Sequence, residues 1–155
     1  MSPDEFLLSR ILKAFRKVRL EAILIGNAGA ALQGAPVMTQ DIDFFVRDTE
    51  LNRKKIREFA ELLGLSLYKR DEAISEVITA EGKELIIDFI FRLTPDQKYE
   101  SVRSRAKKIK IGDHFCLVAN LEDIIKSKKV TGRVKDIAVI KLLEDTLKVK
   151  RKLKG

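Results

Sequence analysis

The chain has 155 residues, of which 45% are hydrophobic and 35% charged, and its 31 Lys and Arg against 23 Asp and Glu give a net charge of +8 at pH 7. This length suits one domain with a core of its own, and the composition excludes a disordered tract. No apolar run approaches the roughly eighteen residues of a membrane span, so we expect no membrane association.

The N-terminal segment is predicted to form a helix, a strand and a second helix. Ser2 and Glu5 have the spacing of a capping box, and apolar residues follow at helical intervals, which predicts a helix from residue 3 to about 19. The segment EAILIG is typical of a buried strand, which would end at Gly26. The small residues of NAGAALQG predict a short helix packed closely against a sheet.

The next predicted unit is a strand followed by a helix. DIDFFV, residues 41–46, is apolar apart from its two aspartates and is expected to be a strand. Asp48 or Thr49 can cap the following helix, which would run through Leu63 and stop at Gly64.

Two hairpins and two helices complete the predicted fold. AISEVITAEGKELIIDFIF has two β-rich arms around residues 81–83, the pattern of a three-residue loop, and KIKIGDHFCLV turns at residues 112–113. Asn120 caps a helix, and a break at residues 131–132 leads into a last helix. This order predicts an α/β (α+β) domain with a mixed β-sheet and helices packed on it, rather than a doubly wound parallel sheet.

Positive charge is concentrated in the C-terminal half. Residues 98–110 hold six Lys or Arg against one acid, and residues 126–155 hold eleven against three. Such segments could attract a polyanion, either a nucleotide or a nucleic acid. An ion-paired thermophile surface has a similar composition. Within the basic tail that begins at about residue 148, we favour a solvated end for the last six residues. We treat residues 1–155 as a single domain that includes this tail.

The cysteine usage bears on the cellular compartment. Cys116 is the single cysteine, so no intrachain disulfide can form. The N-terminal sequence carries acids and a proline where a secretory signal would have a basic and then an apolar region. We therefore expect a cytoplasmic protein.

Two aspartates open an otherwise apolar segment. Because side chains alternate along a strand, Asp41 and Asp43 would point to the same face. Two carboxylates so close repel each other unless a cation lies between them. Magnesium is the first candidate, since it prefers oxygen ligands and is held by one or two carboxylates together with substrate phosphates.

Asp88 is a third acid in a strand context. It lies in ELIIDFIF, where its neighbours are apolar, although Asp is depleted in strands and rarely buried unpaired. If this arm lies beside DIDFFV, three carboxylates would converge and could hold two metal ions. The alternatives are that Asp88 pairs with an arginine such as Arg92, and that Asp41 and Asp43 merely end a strand. The combination of the three acids favours a metal site.

Taken together, IGNAGAALQG, TQDIDFFV and LIIDF resemble the DNA polymerase beta-like nucleotidyltransferase superfamily. Its pattern is a strand ending in Gly-Gly or Gly-Ser, a short helix, and Asp-x-Asp on the next strand; here thirteen residues separate Asn27 from Asp41. LEDIIKSKKVTGRVKDIAVI is similar to the C-terminal signature of small nucleotidyltransferases related to abortive-infection and toxin–antitoxin toxins. The resemblance extends from about residue 21 to about residue 143 and depends on the order and spacing of the motifs.

The resemblance implies a site for a nucleoside triphosphate and a divalent metal. Gly26 and Asn27 would cradle the triphosphate at the start of the short helix, where backbone N–H groups bind anions. Asp41 and Asp43 would bind Mg²⁺ or Mn²⁺. Asp88 would be the third ligand and the base that takes a proton from the attacking hydroxyl.

Further residues are implied at the edges of this site. Thr39 would orient the loop or touch phosphate, and Lys128 would contact phosphate. Arg133 and Asp136 would shape the far wall of the cleft. The implied reaction transfers a nucleoside monophosphate from NTP to a hydroxyl acceptor and releases pyrophosphate, mainly through positioning and charge neutralisation.

Two positions depart from the pattern. Asn27 replaces the second Gly or Ser, and Val37 stands where relatives often carry an arginine two residues before the threonine. Both changes affect the phosphate side of the site. The three acids are all retained, which favours an active enzyme.

The resemblance leaves the NTP and the acceptor open, and RNA, a protein hydroxyl and a small molecule all remain candidates. A chain of this length could borrow its acceptor surface from a second copy in a homodimer or from an antitoxin-like partner. The alternative function is a non-catalytic nucleotide- or nucleic-acid-binding module that has a degenerate site and binds through the basic segments.

Overall fold

The computed structural model describes residues 2–37, 41–71, 76–132 and 134–154. Within these ranges the chain forms six helices and seven strands. The helices are α1 Pro3–Val18, α2 Gly26–Ala31, α3 Glu50–Leu63, α4 Tyr99–Arg105, α5 Leu121–Thr131 and α6 Val134–Lys154. The strands are β1 Ile23–Ile25, β2 Ile42–Phe45, β3 Ser66–Asp71, β4 Glu76–Glu81, β5 Ile86–Ile90, β6 Lys107–Ile111 and β7 His114–Val118.

All these strands belong to one sheet, in the order β3-β4-β5-β2-β1-β7-β6. The pairs β2–β5 and β1–β7 are parallel, and the other neighbouring pairs are antiparallel. The sheet is therefore mixed, and the predicted fold class is confirmed. Both predicted hairpins are present, with β6 at one edge of the sheet and the β4–β5 hairpin extended by β3 at the other.

The helix boundaries follow from capping residues in the sequence. Ser2, Thr49 and Asn120 each cap a helix, α1, α3 and α5 respectively, because their side chains accept a hydrogen bond from the backbone N–H three residues further on. Gly64 and Gly132 end α3 and α5 in the left-handed conformation that glycine adopts without strain. These five boundaries agree with the sequence-based prediction.

Apolar side chains pack on both faces of the sheet. One cluster contains the rings of Phe15, Phe44, Phe59 and Phe89, with centroid separations between 4.8 and 6.4 Å. Phe45, which follows Phe44 on β2, belongs to a second cluster on the opposite face that includes residues of α5. Side chains two residues apart on β2 share a face, so position 43 lies on the side of Phe45.

The structure adds two elements that the sequence analysis did not predict, α4 and β3. The seven residues of α4 are too few to establish a helical period, and β3 is an exposed edge strand without an apolar alternation. The loop between β4 and β5 spans residues 82–85 rather than three residues, since Glu81 pairs with Ile86. The basic tail from about residue 148 is the last part of α6.

None of the described helices has both the length and the apolar character needed to cross a membrane.

Candidate active site

Asp43 and Asp88 lie side by side in the middle of the sheet. Strands β2 and β5 are parallel neighbours, and their register places Asp43 directly opposite Asp88. Strands so paired are about 4.8 Å apart, and opposed residues project to the same face. The arm that contains Asp88 therefore lies beside β2, which the metal-site interpretation required.

Gly26 lies directly against the carboxylate of Asp43. It opens α2 after β1, whose Ile25 is in register with Asp43. A Cβ atom at position 26 would be 2.8 Å from Asp43 Oδ2, and the residue has φ of +64°. The left-handed backbone favours glycine here, and any side chain at position 26 would also have to displace the Asp43 carboxylate. Ile25 has no polar side chain with which to cap the first turn of α2.

Asp41 is placed differently from the expectation. Strand β2 begins at Ile42, so Asp41 precedes the strand at an exposed bend. The alternation of side chains along a strand therefore does not fix the direction of its carboxylate. Asp43 is partly buried beside Gly26.

The fit of a divalent metal depends on these carboxylates. Over the described ranges, no three Asp, Glu, His or Cys side chains form a group that could hold a metal ion. The opposed pair, Asp43 and Asp88, nevertheless offers oxygen donors from two adjacent strands. Mg²⁺ and Mn²⁺ favour such donors, and Mg²⁺ typically needs only one or two carboxylates when water and substrate phosphates complete its shell. The donor set therefore fits a divalent metal whose shell is completed by water and by the phosphates of a substrate.

Asp88 has two hydrogen-bond donors that the sequence analysis missed. Thr79 on β4 donates from Oγ1 to Asp88 Oδ1 at 2.6 Å. Arg70 on β3 donates from Nη2 to Asp88 Oδ2 at 3.0 Å and from Nε to Thr79 Oγ1 at 3.2 Å. The sequence analysis gave pairing of Asp88 with an arginine such as Arg92 as an alternative. The structure contains such a pair, but the arginine is Arg70.

The sequence carried little signal for these two donors. Arg70 lies on β3, an element that was not predicted. Thr79 lies in a predicted strand arm, but its position opposite Asp88 depends on the register of the hairpin. A three-residue loop would have given another register.

Lys128 and Asp136 form a buried ion pair between α5 and α6. The Lys128 Nζ atom is 3.6 Å from Asp136 Oδ1, and the two residues are only 8% and 4% exposed. The structure thus brings together two of the residues that the resemblance places in the cleft.

Of the remaining positions discussed above, the structure describes Asn27 and Val37 but not Thr39 and Arg133. Asn27 is partly buried in the first turn of α2. Val37 is partly buried and packs against the cluster that includes Phe45. Thr39 and Arg133 lie outside the described residues, so their roles stay predictions.

Comparison with known proteins identifies the fold. No family model and no curated protein matches the sequence. Two solved structures of the antibiotic-resistance factor ANT(2'')-Ia, one of them in complex with adenylyl-2''-tobramycin, are similar, with TM-scores of 0.66 and 0.67 at 16% identity. Each matches 97% of this chain, and the match covers 90% of the first structure's chain and 92% of the second's.

Two further structures extend the likeness. The lincosamide antibiotic adenylyltransferase LnuA, bound to lincomycin, has a TM-score of 0.64 at 14% identity, over 94% of this chain and 98% of its own. A Thermotoga maritima protein assigned as a nucleotidyltransferase has a TM-score of 0.67 at 19% identity, over 91% and 93%. At these identities the likeness establishes the fold, and this fold agrees with the resemblance found in the sequence.

Proposed function

We propose that this chain, which has the nucleotidyltransferase fold, transfers a nucleoside monophosphate from NTP to a hydroxyl group. The observation that carries the proposal is the pair of opposed carboxylates, Asp43 and Asp88, with the backbone of Gly26 against Asp43. Charges placed side by side on a sheet repel each other, and a cationic ligand relieves that repulsion. A site of this kind suits a substrate that arrives as a metal-bound triphosphate.

The reaction forms and breaks one bond at phosphorus. The acceptor oxygen bonds to the α-phosphorus, and the bond from that phosphorus to the oxygen bridging to the β-phosphate breaks. Pyrophosphate leaves with the electron pair of the broken bond. The proton of the attacking hydroxyl passes to the carboxylate of Asp88, which acts as the general base.

The other residues bind and orient the substrate. Asp41, Asp43 and Asp88 would hold Mg²⁺ or Mn²⁺, which supplies neutralisation of the phosphate charge when it is bound. The backbone of Gly26 and Asn27 would hold the triphosphate in the first turn of α2. Further residues proposed to contact or frame the nucleotide are Thr39, Lys128, Arg133 and Asp136. Catalysis by such a site is mainly positioning and charge neutralisation.

A hydroxylated small molecule is the first acceptor to test. ANT(2'')-Ia was solved with an adenylylated tobramycin and LnuA with lincomycin, and both proteins match this chain over most of their own length. The likeness supports an acceptor that fits without an added recognition domain. RNA and protein hydroxyls are the other acceptors to test.

A direct assay of transfer tests the proposal. The full chain is incubated with each labelled NTP, Mg²⁺ or Mn²⁺, and panels of aminoglycosides, lincosamides, RNA and proteins, and pyrophosphate release and labelled product are measured. We expect transfer by the wild type and a loss of about a hundredfold or more in Asp43→Asn, because a charged group at the reacting centre is removed.

The matched control for that variant is Asp113→Asn. Asp113 lies in the turn between β6 and β7, near the far edge of the sheet, and asparagine suits turns. We expect Asp113→Asn to keep wild-type activity. Equal activity in Asp43→Asn and Asp113→Asn would refute the proposed site.

A non-catalytic binding module is the second candidate, and the concentration of positive charge in the C-terminal half favours it. In that case neither wild type nor Asp43→Asn would release pyrophosphate with any acceptor. RNA would still bind, and its affinity would fall steeply with salt.

A further inference from the structure

We propose that two neighbours control Asp88 in opposite ways: Thr79 is a positioning residue that orients its carboxylate, and Arg70 is an internal counter-ion that competes with a divalent cation for it. This inference rests on the proposed function, because it assigns roles to residues around the same carboxylate. Neither residue belongs to the motifs that suggested the function.

Thr79 is built into the sheet beside Asp88. It lies directly opposite Asp88 on the antiparallel neighbour β4, and only 1% of its surface is exposed. Its Oγ1 donates to Asp88 Oδ1 at 2.6 Å. A donor on a rigid, buried strand restricts the rotation of the carboxylate more than water would.

The direction of this hydrogen bond follows from the inventory of donors. A threonine hydroxyl has one proton to donate and lone pairs to accept with. Arg70 Nε donates to the same Thr79 oxygen at 3.2 Å, and an arginine nitrogen is a donor only. The hydroxyl proton of Thr79 is therefore directed to Asp88.

Arg70 approaches Asp88 from the exposed edge of the sheet. Its Nη2 lies 3.0 Å from Asp88 Oδ2, and the side chain is 43% exposed against 13% for Asp88. Because the guanidinium is the exposed partner, water can solvate it when a divalent cation takes its place at the carboxylate. A divalent cation and Arg70 both need the negative charge of Asp88, and their binding to it is therefore competitive.

These contacts predict effects of opposite sign on metal binding. Without the Thr79 hydroxyl, Asp88 loses a fixed donor and its carboxylate is free to turn away from Asp43. Without the Arg70 guanidinium, Asp88 loses a competing cation. A general weakening of the fold would shift both variants in the same direction.

The first test replaces Thr79 by valine, which has nearly the same shape and suits a buried strand. Mn²⁺ binding to the full chain is measured by electron paramagnetic resonance of the free ion, together with Tm. We expect about tenfold weaker Mn²⁺ binding and, at saturating Mn²⁺, a kcat about tenfold lower, with the KM for NTP within about twofold. Thr79→Ser, which keeps a hydroxyl, is expected to recover Mn²⁺ binding to within about threefold of wild type.

The second test replaces Arg70 by methionine, with Lys69→Met as the matched control. Lys69 lies next to Arg70 on β3 and carries the same charge, but alternation puts it on the other face of the sheet. We expect Arg70→Met to bind Mn²⁺ about two- to fivefold more tightly than wild type. Lys69→Met should match wild type.

Several results would overturn the inference. One is Mn²⁺ binding by Thr79→Val as tight as that of wild type. Another is an Arg70→Met variant that binds no more tightly than Lys69→Met. The inference would also be overturned if the wild type bound no Mn²⁺, or if Asp43→Asn bound Mn²⁺ as tightly as the wild type.

The proposed function fails in a different way. If the wild type transfers no nucleotide to any acceptor but the opposite shifts in Mn²⁺ affinity occur, the roles of Thr79 and Arg70 stand and the catalytic proposal falls. If the wild type transfers nucleotide and Thr79→Val is unchanged in both kcat and Mn²⁺ binding, the catalytic proposal stands and the role of Thr79 falls.

Discussion

At the scale of single residues, Gly26 has the tightest surroundings near the site. Its backbone has φ of +64°, and a Cβ atom would lie 2.8 Å from Asp43 Oδ2. Gly64 has nearly the same conformation, φ of +66°, but a Cβ atom there would meet nothing within 4 Å. The two glycines therefore separate backbone strain from the contact with Asp43.

We expect Gly64→Ala to lower the free energy of unfolding by about 1 kcal/mol, because alanine is strained at positive φ. Gly26→Ala has the same backbone strain and must also displace the Asp43 carboxylate. We expect a loss of about 1–2 kcal/mol and at least a tenfold loss of transfer activity, because a misplaced group at the reacting centre is costly. Urea unfolding and pyrophosphate release measure the two effects. Equal behaviour of the two variants would show that the contact with Asp43 is unimportant.

Cys116 gives a pH-dependent prediction. Burial raises the pKa of its thiol from 9.0 to about 12. In the unfolded chain the thiol ionises near its ordinary value, while in the folded chain it keeps its proton. The folded state therefore binds more protons in this range, and the thiol's contribution to stability is present below about pH 9 and is lost as pH rises toward 12.

The measurement compares wild type with Cys116→Ala in urea unfolding from about pH 6 to pH 11. Above about pH 9 we expect the free energy of unfolding of wild type to fall more steeply than that of Cys116→Ala, by up to about 1.4 kcal/mol per pH unit. Below about pH 8 the two curves should be parallel. Parallel curves throughout would contradict the raised pKa.

At the scale of elements, two ion pairs of different burial link α5 and α6. Lys128 and Asp136 are buried, while Lys129 and Glu144, 3.8 Å apart, have side chains that are 56% and 44% exposed. A buried charge that loses its partner carries a large desolvation penalty, and an exposed one is stabilised by water.

Asp136→Leu should therefore lower the free energy of unfolding by about 3 kcal/mol, because the charge of Lys128 loses its buried counter-ion. The double variant Lys128→Met/Asp136→Leu should recover most of that loss. Glu144→Leu, between the same two helices, should change stability by less than about 1 kcal/mol. Urea unfolding followed by circular dichroism checks all three, and a double variant no better than Asp136→Leu would argue against the charge as the cause.

At the scale of the whole molecule, folding brings the two basic segments of the sequence together. The pKa of Lys150, near the end of α6, is lowered from 10.5 by burial and by the charges of Lys107 on β6 and of Lys154. Other cations of these segments have acidic partners, Arg103 with Glu21 and Arg105 with Asp123. Lys107 and Lys150 are therefore close enough to repel each other, and a bound polyanion would relieve that repulsion.

If the chain is the binding module described as the second candidate, we expect single-stranded RNA to bind with an affinity that falls with salt. Lys107→Gln/Lys150→Gln should then reduce the slope of log affinity against log salt by about 1–2. Lys13→Gln/Lys17→Gln removes two charges from α1 and should leave the slope unchanged. Fluorescence anisotropy of labelled RNA over a series of salt concentrations measures this slope. If both double variants reduce the slope equally, the binding reflects net charge and not this pair of lysines.

Much of the fold and part of the candidate site were predictable from the sequence. Capping at Ser2, Thr49 and Asn120 acts over three residues, and alternation acts over two, so both are visible in a short window. The order of elements then predicted a mixed sheet. The sequence predicted that Asp88 would lie beside Asp43 only if β5 pairs with β2, and it could not decide whether these strands pair.

By itself, then, the sequence determined the capped ends of α1, α3 and α5, the mixed α/β class and the small-residue turn ahead of the two aspartates, because these depend on neighbouring residues. Only the tertiary structure decided that Asp88 receives hydrogen bonds from Thr79 and Arg70. Those contacts depend on the register of three strands, which is set by pairing between segments distant in the chain and not by any local preference.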